Sequence, residues 1–329
     1  PDPAGFQLPA QVTKKMEKPS IHVFEPSGPP EDNVLDHNLQ ALRTAGFEVE
    51  YTPWQADARA RLEVEGVRAR LGQIQSVLNG AHPYLLSARG GYGASDIMSR
   101  LDWQTLARSP AKVLIGFSDV SALQSAICTR LGWPSLHAPM PGSSLWQGGV
   151  DIDELVRLLS SDLPWEGQLK VEPVRETADI ECHGVLFGGC LSVLSNLVGT
   201  PNLPSDLSDH ILFFEDTGES APRLLRYWCQ WLDSGLLAGV NAVVFGRFTD
   251  MGSAADAEAW VLGELAVRAP CPVFSSRDFG HVAPNLPIAI GATAQIKDKI
   301  LSWRLANVGK GSDAPCAVDE RKVPSGCDP

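Results

Sequence analysis

Apolar and polar positions along the chain follow two alternating rhythms. "IHVFEP" (21–26), "FEVEYT" (47–52), "PYLLSA" (83–88) and "KVLIGF" (112–117) are short, mostly apolar runs that stop at Gly, Pro or Ser. Such runs predict buried strands. Between them, Leu35, Leu39 and Leu42 share one helical face, with a cap signal at Asp32-Asn33 and a stop at Gly46. Asp57 to Gly80 reads as a long charged helix and "DVSALQSAICTRLG" (119–132) as an apolar one. Strands separated by helices predict a parallel sheet covered on both faces.

The rhythm breaks over 139–180, where "PMPGSSLWQGG" and a Glu-, Pro- and Asp-rich stretch surround one short helix near Asp153 to Ser160. It resumes from Gly184 with "GVLFGG", "CLSVLSNLVG", "ILFFE", "PRLLRYWCQWLDSG" and "AVVFGRF". The helix "AADAEAWVLGELAVRA" and short strands around "CPVFSS", "PIAIGATAQI" and "ILSWRL" follow. The expected division is an N-terminal α/β domain at 20–140, a connector at 141–180, a second α/β domain with a more mixed sheet at 181–307, and a disordered tail at 308–329.

Composition narrows the function. A 329-residue chain with 44% apolar and 20% charged residues has enough apolar material for a real core. Its formal charge of −12 disfavours a nucleic-acid backbone or an anionic membrane surface as the main partner. No run approaches the 18 apolar residues of a membrane span, and the first twenty residues lack both an initiator Met and the apolar core of a signal peptide. A cytoplasmic location is the expectation. The seven cysteines contain no C-x-x-C pair. Cys128, Cys190 and Cys229 are expected as reduced thiols buried in apolar helices, and Cys316 and Cys327 fall in the tail.

Candidate chemistry gathers at strand ends, where the loops of a parallel sheet converge. Ser118, in "LIGFSDVSAL", stands between a strand and a helix. It is either a helix cap or a nucleophile held on a tight turn. The glycine-rich "RGGYG" (89–93) lacks the lysine of a phosphate loop and the spacing of a dinucleotide fingerprint. Its backbone, at Gly91, could instead serve an oxyanion together with the N–H of Asp119. Four apolar residues run directly into Glu215, a carboxylate that must find a donor or lose its charge. His281 follows a Phe-Gly bend suited to a site loop, and a histidine could supply that donor as readily as Arg223 or Arg226. No His, Cys, Asp and Glu group has metal-ligand spacing, so neither a metal nor another cofactor is expected.

The series "ARGGYGASDIMSRLDW", "KVLIGFSDVSALQ", "HAPMPG", "GVLFGGCLSVLSNLVGTP", "ILFFEDTGESAPRLLR" and "RDFGHVAPNLPIAIGATA" resembles the LD-carboxypeptidases, serine peptidases that include the microcin-immunity enzymes. The likeness runs from Ile21 to Leu305. It implies an N-terminal flavodoxin-like domain, a C-terminal mixed α/β domain and a homodimer. It also implies a catalytic trio of Ser118, Glu215 and His281, with oxyanion donors at Gly91 and Asp119. The implied reaction is release of terminal D-alanine from a murein tetrapeptide during cell-wall recycling. The chain departs from the family pattern at Cys190, where an Asn is usual after two glycines, and at Leu225, where an acid is common. Arg89 and Arg226 are candidates for holding the substrate's carboxylate, and Trp146 for walling its pocket.

Three rivals remain at this stage: an immunity-type peptidase acting on peptidyl- or aminoacyl-nucleotides, another serine hydrolase, and a non-catalytic binding protein. Against the second, Val120 stands where an α/β-hydrolase elbow requires a small glycine.

Overall fold

The structure, a computed structural model, describes residues 19–31, 34–54, 59–161, 163–175, 180–252 and 257–306. The Asp32-Asn33 cap signal, the expected tail and Cys316 and Cys327 lie outside the described residues.

The first half alternates as its apolar runs predict. Strand β1 (Ser20–Phe24), helix α1 (Leu35–Thr44), β2 (Glu48–Thr52), α2 (Val64–Asn79) and β3 (Tyr84–Ser87) lead to two short helices, α3 (Ala94–Met98) and α4 (Trp103–Arg108). Then come β4 (Val113–Gly116), α5 (Val120–Leu131) and β5 (Ser135–His137). Leu35, Leu39 and Leu42 are all buried, and Gly46 ends α1 at φ 106°. Helix α2 starts at Val64, well past Asp57.

The stretch expected as a connector contains α6 (Gly149–Leu159), β6 (Trp165–Lys170) and β7 (Glu172–Pro173). The remainder is β8 (Cys182–Cys190), α7 (Leu191–Ser195), β9 (His210–Thr217), α8 (Ala221–Asp233), β10 (Ala242–Thr249), α9 (Ala257–Arg268), β11 (Val273–Ser275), β12 (Ile288–Ile290), β13 (Thr293–Lys297) and β14 (Ile300–Leu305).

These strands form two sheets. The first has the order β12-β5-β4-β3-β1-β2, parallel except where β12 pairs antiparallel with β5. The second has the order β6-β14-β13-β8-β9-β10-β11-β7, with a parallel centre from β8 to β11 and antiparallel flanks. The protein is thus α/β, with a mostly parallel N-terminal sheet and a mixed C-terminal one. Strand β12 closes the first sheet although it lies late in the chain.

Helix α5 is the hinge of the architecture. Val120 to Thr129 are all buried, because the helix touches β4 and β5 on one side and α7 and β8 on the other. Over this buried stretch the helix carries no charge, and three of its polar side chains have backbone partners while Thr129 Oγ1 has none among the described residues. Gln124 donates to the carbonyls of Gly116 and Leu136, at 2.9 and 2.8 Å. Ser125 donates to the carbonyl of Asn202 at 2.6 Å, and Ser121 accepts from the Cys190 N–H at 3.1 Å. The N-terminus of α5 is therefore fixed against both sheets.

The cysteine expectation needs correction. Cys128 is buried in α5, but Cys190 ends strand β8 and Cys229 lies on the exposed side of α8. Helix α8 is strongly two-sided: Leu224, Trp228 and Trp231 take the inner face, so Cys229 turns outward. Among the described residues no helix is long and apolar enough to cross a membrane.

Candidate active site

In the first sheet the strand order reverses between β1 and β3, and ligands of parallel sheets bind beyond the carboxyl ends of strands at such a reversal. The loops after β1 and β3 meet at this point, with the Gly28 N–H donating to the Gly90 carbonyl at 2.8 Å.

Ser118 follows β4 beside them. It is not the helix cap; Asp119 holds that position, and its side chain makes no capping bond. Ser118 instead has φ 64°, a left-handed conformation that costs a serine about 1 kcal/mol or more. This twist turns the half-buried side chain out of the sheet while its carbonyl starts the helix by accepting from Ser121 at 2.9 Å.

The glycine-rich loop lies directly on the serine. A Cβ on Gly90 would stand 2.8 Å from the Ser118 Cβ, and Gly91 has φ 104°. Neither the N–H of Gly91 nor that of Asp119 donates a hydrogen bond among the described residues. The buried Asp119 carboxylate accepts from the Ala94 N–H at 2.9 Å, tying the serine turn to the glycine loop, and burial raises its pKa. Two buried arginines hold the same loops from behind. Arg61 bonds Glu25 at 2.8 Å and the Ser27 carbonyl at 2.7 Å; Arg70 bonds the Gly93 carbonyl at 3.0 Å.

The second sheet supplies the acid. Glu215, near the end of β9, is fully buried, and its Oε2 accepts from His281 Nδ1 at 2.6 Å. Burial is the largest single effect and opposes the charge, but the charge and hydrogen bond of His281, with His137 adding to them, together lower the Glu215 pKa. The imidazole responds in the reverse sense: burial alone would lower its pKa, and the charge and hydrogen bond of Glu215 raise it. His281 Nε2 is buried and has no hydrogen-bond partner among the described residues. Its ring centroid lies 4.9 Å from that of Phe117, the neighbour of Ser118. No hydrogen bond joins the Ser118 hydroxyl to Nε2 among the described residues.

Asp216 turns the other way. It accepts from the Ser192 N–H at 2.7 Å, and Cys190 Sγ lies 3.4 Å from its Oδ1. Burial, followed by the neighbouring Glu215 charge, raises the Asp216 pKa to about 6; burial also raises that of Cys190. The fold thus places a neutral thiol against a carboxylate.

The remaining candidates are placed less closely together. Arg89 donates to the Pro29 carbonyl at 3.1 Å and lies 3.6 Å from Glu31, beside the glycine loop. Arg226 is on the exposed side of α8, and no ion pair or hydrogen bond links it to Glu215 among the described residues. Trp146 lines a cleft with Ala138, Pro139, Pro284, Asn285 and Leu286, and Asn285 accepts from the Gly280 N–H next to His281.

Sequence reasoning missed three buried groups here: Arg61, Arg70 and His137. His137 ends strand β5 fully buried, and its Nε2 is 4.0 Å from Glu215 Oε1. The rule that singled out Glu215, a titratable group ending an apolar strand, also fits His137. At the other end of the first sheet the fold gathers His22, Glu50 and His82, a grouping their spacing hides. His82 bonds Glu50 at 2.8 Å and Ser20 at 2.6 Å, and His22 bonds Thr52 at 2.7 Å. Lys112 adds positive charge beside them. These contacts make the group an internally bonded polar network.

Comparison with known proteins agrees with the fold. Residues 21–138 match the LD-carboxypeptidase N-terminal domain, and residues 183–296 the LD-carboxypeptidase C-terminal domain. The chain is 29% identical over 294 residues to murein tetrapeptide carboxypeptidase of Pseudomonas aeruginosa, covering 86% of this chain and 94% of that protein. The crystal structure of muramoyltetrapeptide carboxypeptidase from Oxalobacter formigenes superposes with a TM-score of 0.74 at 25% identity, over 87% of this chain and 99% of that one. The microcin C7 self-immunity protein MccF shares the fold, with a TM-score of 0.75 at 19% identity over 88% and 96% of the two chains.

Proposed function

The chain belongs to the LD-carboxypeptidase family, and on that premise we propose that it is a serine peptidase hydrolysing an L,D-peptide bond, with Ser118 as nucleophile, His281 as general base and Glu215 as the acid that orients it. One observation carries the reading. A buried carboxylate fixes His281 by Nδ1 and leaves Nε2 without a partner, beside a strained serine turn.

The chemistry follows from these atoms. His281 Nε2 takes the Ser118 proton as Oγ adds to the scissile carbonyl carbon. The imidazolium so formed is stabilised by Glu215 Oε2. Charge developing on the carbonyl oxygen meets the N–H groups of Gly91 and Asp119, and losing one such donor costs about 10²–10³ in rate. His281 then protonates the departing amine, and a water molecule releases the acyl group by the same steps. Bonds between nucleophile and base are often long without substrate and tighten when it binds. On this reading the Ser118–Nε2 hydrogen bond, which does not form among the described residues, forms when substrate binds.

The substrate assigned is a murein tetrapeptide that loses its terminal D-alanine, the class named for the relatives in Pseudomonas aeruginosa and Oxalobacter formigenes. Arg89, next to the glycine loop, is the first candidate for its terminal carboxylate and Arg226 the second. The decisive assay offers the protein a murein tetrapeptide and, separately, an aminoacyl-sulfamoyl adenosine. Release of D-alanine from the first, lost in Ser118→Ala, is the expected result. Cleavage of the second alone would make the protein an immunity-type peptidase, and D-alanine release by Ser118→Ala would remove the serine mechanism.

A further inference from the structure

Glu215 has two carboxylate oxygens, and hydrogen bonds in the fold satisfy one of them. Oε2 accepts from His281, while Oε1 is buried with no partner among the described residues. Leaving an ionised oxygen in that condition is unfavourable. Across from it, 4.0 Å away, is Nε2 of His137, and both ring nitrogens of His137 are likewise buried and unpartnered. Two orphaned groups thus face each other, and a movement of about 1 Å brings them to hydrogen-bonding distance.

Among the described residues no other polar group is bonded to either ring nitrogen of His137. Phe117, Phe213 and Phe279 enclose its ring edge-on, with centroids at 5.7, 5.4 and 6.4 Å. The charged groups that act on it are Glu215 and His281. Burial pushes its pKa down to about 4, so at neutral pH the ring is uncharged and carries one N–H. If that hydrogen sits on Nε2, Glu215 Oε1 gains its donor; if it sits on Nδ1, a lone pair faces a carboxylate.

From this geometry we propose that His137 is a positioning residue, the neutral Nε2–H donor that holds the second oxygen of Glu215. The proposal rests on the triad assigned above. It gives the acid one imidazole on each oxygen. One gains and loses a proton during turnover, and the other stays neutral and prevents the carboxylate from rotating away. His137 belongs to the first sheet and Glu215 to the second. The bond therefore ties the acid to the sheet that carries Ser118.

The effect on pH has a definite sign. Removing the donor makes Glu215 more basic and a stronger acceptor for His281, whose own pKa then rises. Glu215, Asp216 and Asp250 already raise it, and they stay in place. The acid limb of kcat/KM should move to higher pH.

Three substitutions test this. His137→Phe keeps the shape and loses the donor. His137→Gln places an amide nitrogen near the Nε2 position, and His137→Asn places one near Nδ1. The Phe and Asn variants should lose about tenfold in kcat with KM nearly unchanged, and shift the acid limb up by about one pH unit. The Gln variant should recover most of both. Wild-type kcat and pH limb in His137→Phe, or equal behaviour of Gln and Asn, would overturn the proposal.

A substrate-free readout separates this idea from the triad reading. The His281 imidazole, titrated by NMR, should show the same upward shift in His137→Phe whether or not the wild type cleaves an LD-peptide. Should the Phe variant fail to fold, nitrogen-15 NMR of the wild type decides the matter. His137 must be protonated at Nε2 and bare at Nδ1 at neutral pH, and the opposite tautomer refutes the proposal.

Discussion

Gly90 packs so closely on Ser118 that a Cβ added to it would stand 3.0 Å from the serine hydroxyl and 2.8 Å from its Cβ. That contact makes an otherwise conservative change harmful. Gly90→Ala should push the glycine loop off the serine turn, moving the Gly91 N–H away from the developing oxyanion. The expected loss in kcat/KM is about 10²-fold or more, measured as release of the terminal D-amino acid. Thermal unfolding should shift by a few degrees only, since the clash is confined to the contact of one loop with the serine turn. Activity near wild type would remove this loop from the oxyanion site.

Ser118 holds a strained backbone, and strain of this kind is relieved by glycine. Ser118→Gly should be inactive yet about 1 kcal/mol more stable than Ser118→Ala. Chemical denaturation of both variants checks the difference. Equal stabilities would mean that φ 64° at this position costs the fold nothing.

Glu215→Gln should lower kcat by about 10³–10⁴-fold, with KM changed far less, because the lost interaction is with the imidazolium and not with substrate. Glu215 raises the His281 pKa against the effect of burial. Neutralising the acid therefore moves the acid limb of the activity profile to lower pH, the opposite direction to His137→Phe. A pH–rate profile that stays in place would return Glu215 to a purely structural role.

Much of this geometry was visible in the sequence, for physical reasons particular to each residue. Strands β1, β3 and β4 are buried on both faces, so they appear as unbroken apolar runs. Ser118 and Glu215 end such runs, where a polar side chain needs a partner. The pairing of β12 with β5 was not visible, since contacts that distant in sequence leave no local pattern. Arg61 and Arg70 were hidden in a stretch that reads as a solvated charged helix, because charge in a sequence does not reveal burial against carbonyls. His137 was legible by the Glu215 rule, but its place at the end of the N-terminal domain, near the connector, gave no local sign of a buried partner. The convergence of the three loops was implied by family resemblance; no spacing in the chain encodes it.

The last prediction concerns Asp216, which the fold forces to ionise next to another carboxylate. Its pKa rises from 3.8 to about 6, through burial and then the Glu215 charge, with the Ser192 hydrogen bonds opposing. Between those two values the folded state holds a proton that the unfolded chain has released. The contribution of Asp216 to stability therefore falls as pH rises from 3.8 to 6, by about 3 kcal/mol in all, and then levels off. His137, with a folded pKa of about 4, acts in the opposite sense: stability falls as pH drops from 6.5 towards 4. The two slopes offset each other in the wild type and hide both effects. Asp216→Asn removes one of them. Measured by urea unfolding, its stability relative to wild type should improve by about 3 kcal/mol between pH 4 and pH 7. The Asn amide also keeps an oxygen for the Ser192 N–H, which limits the loss at pH 4. Parallel pH dependences in the two proteins would show that Asp216 titrates normally and that the carboxylate pair at the end of β9 is well solvated.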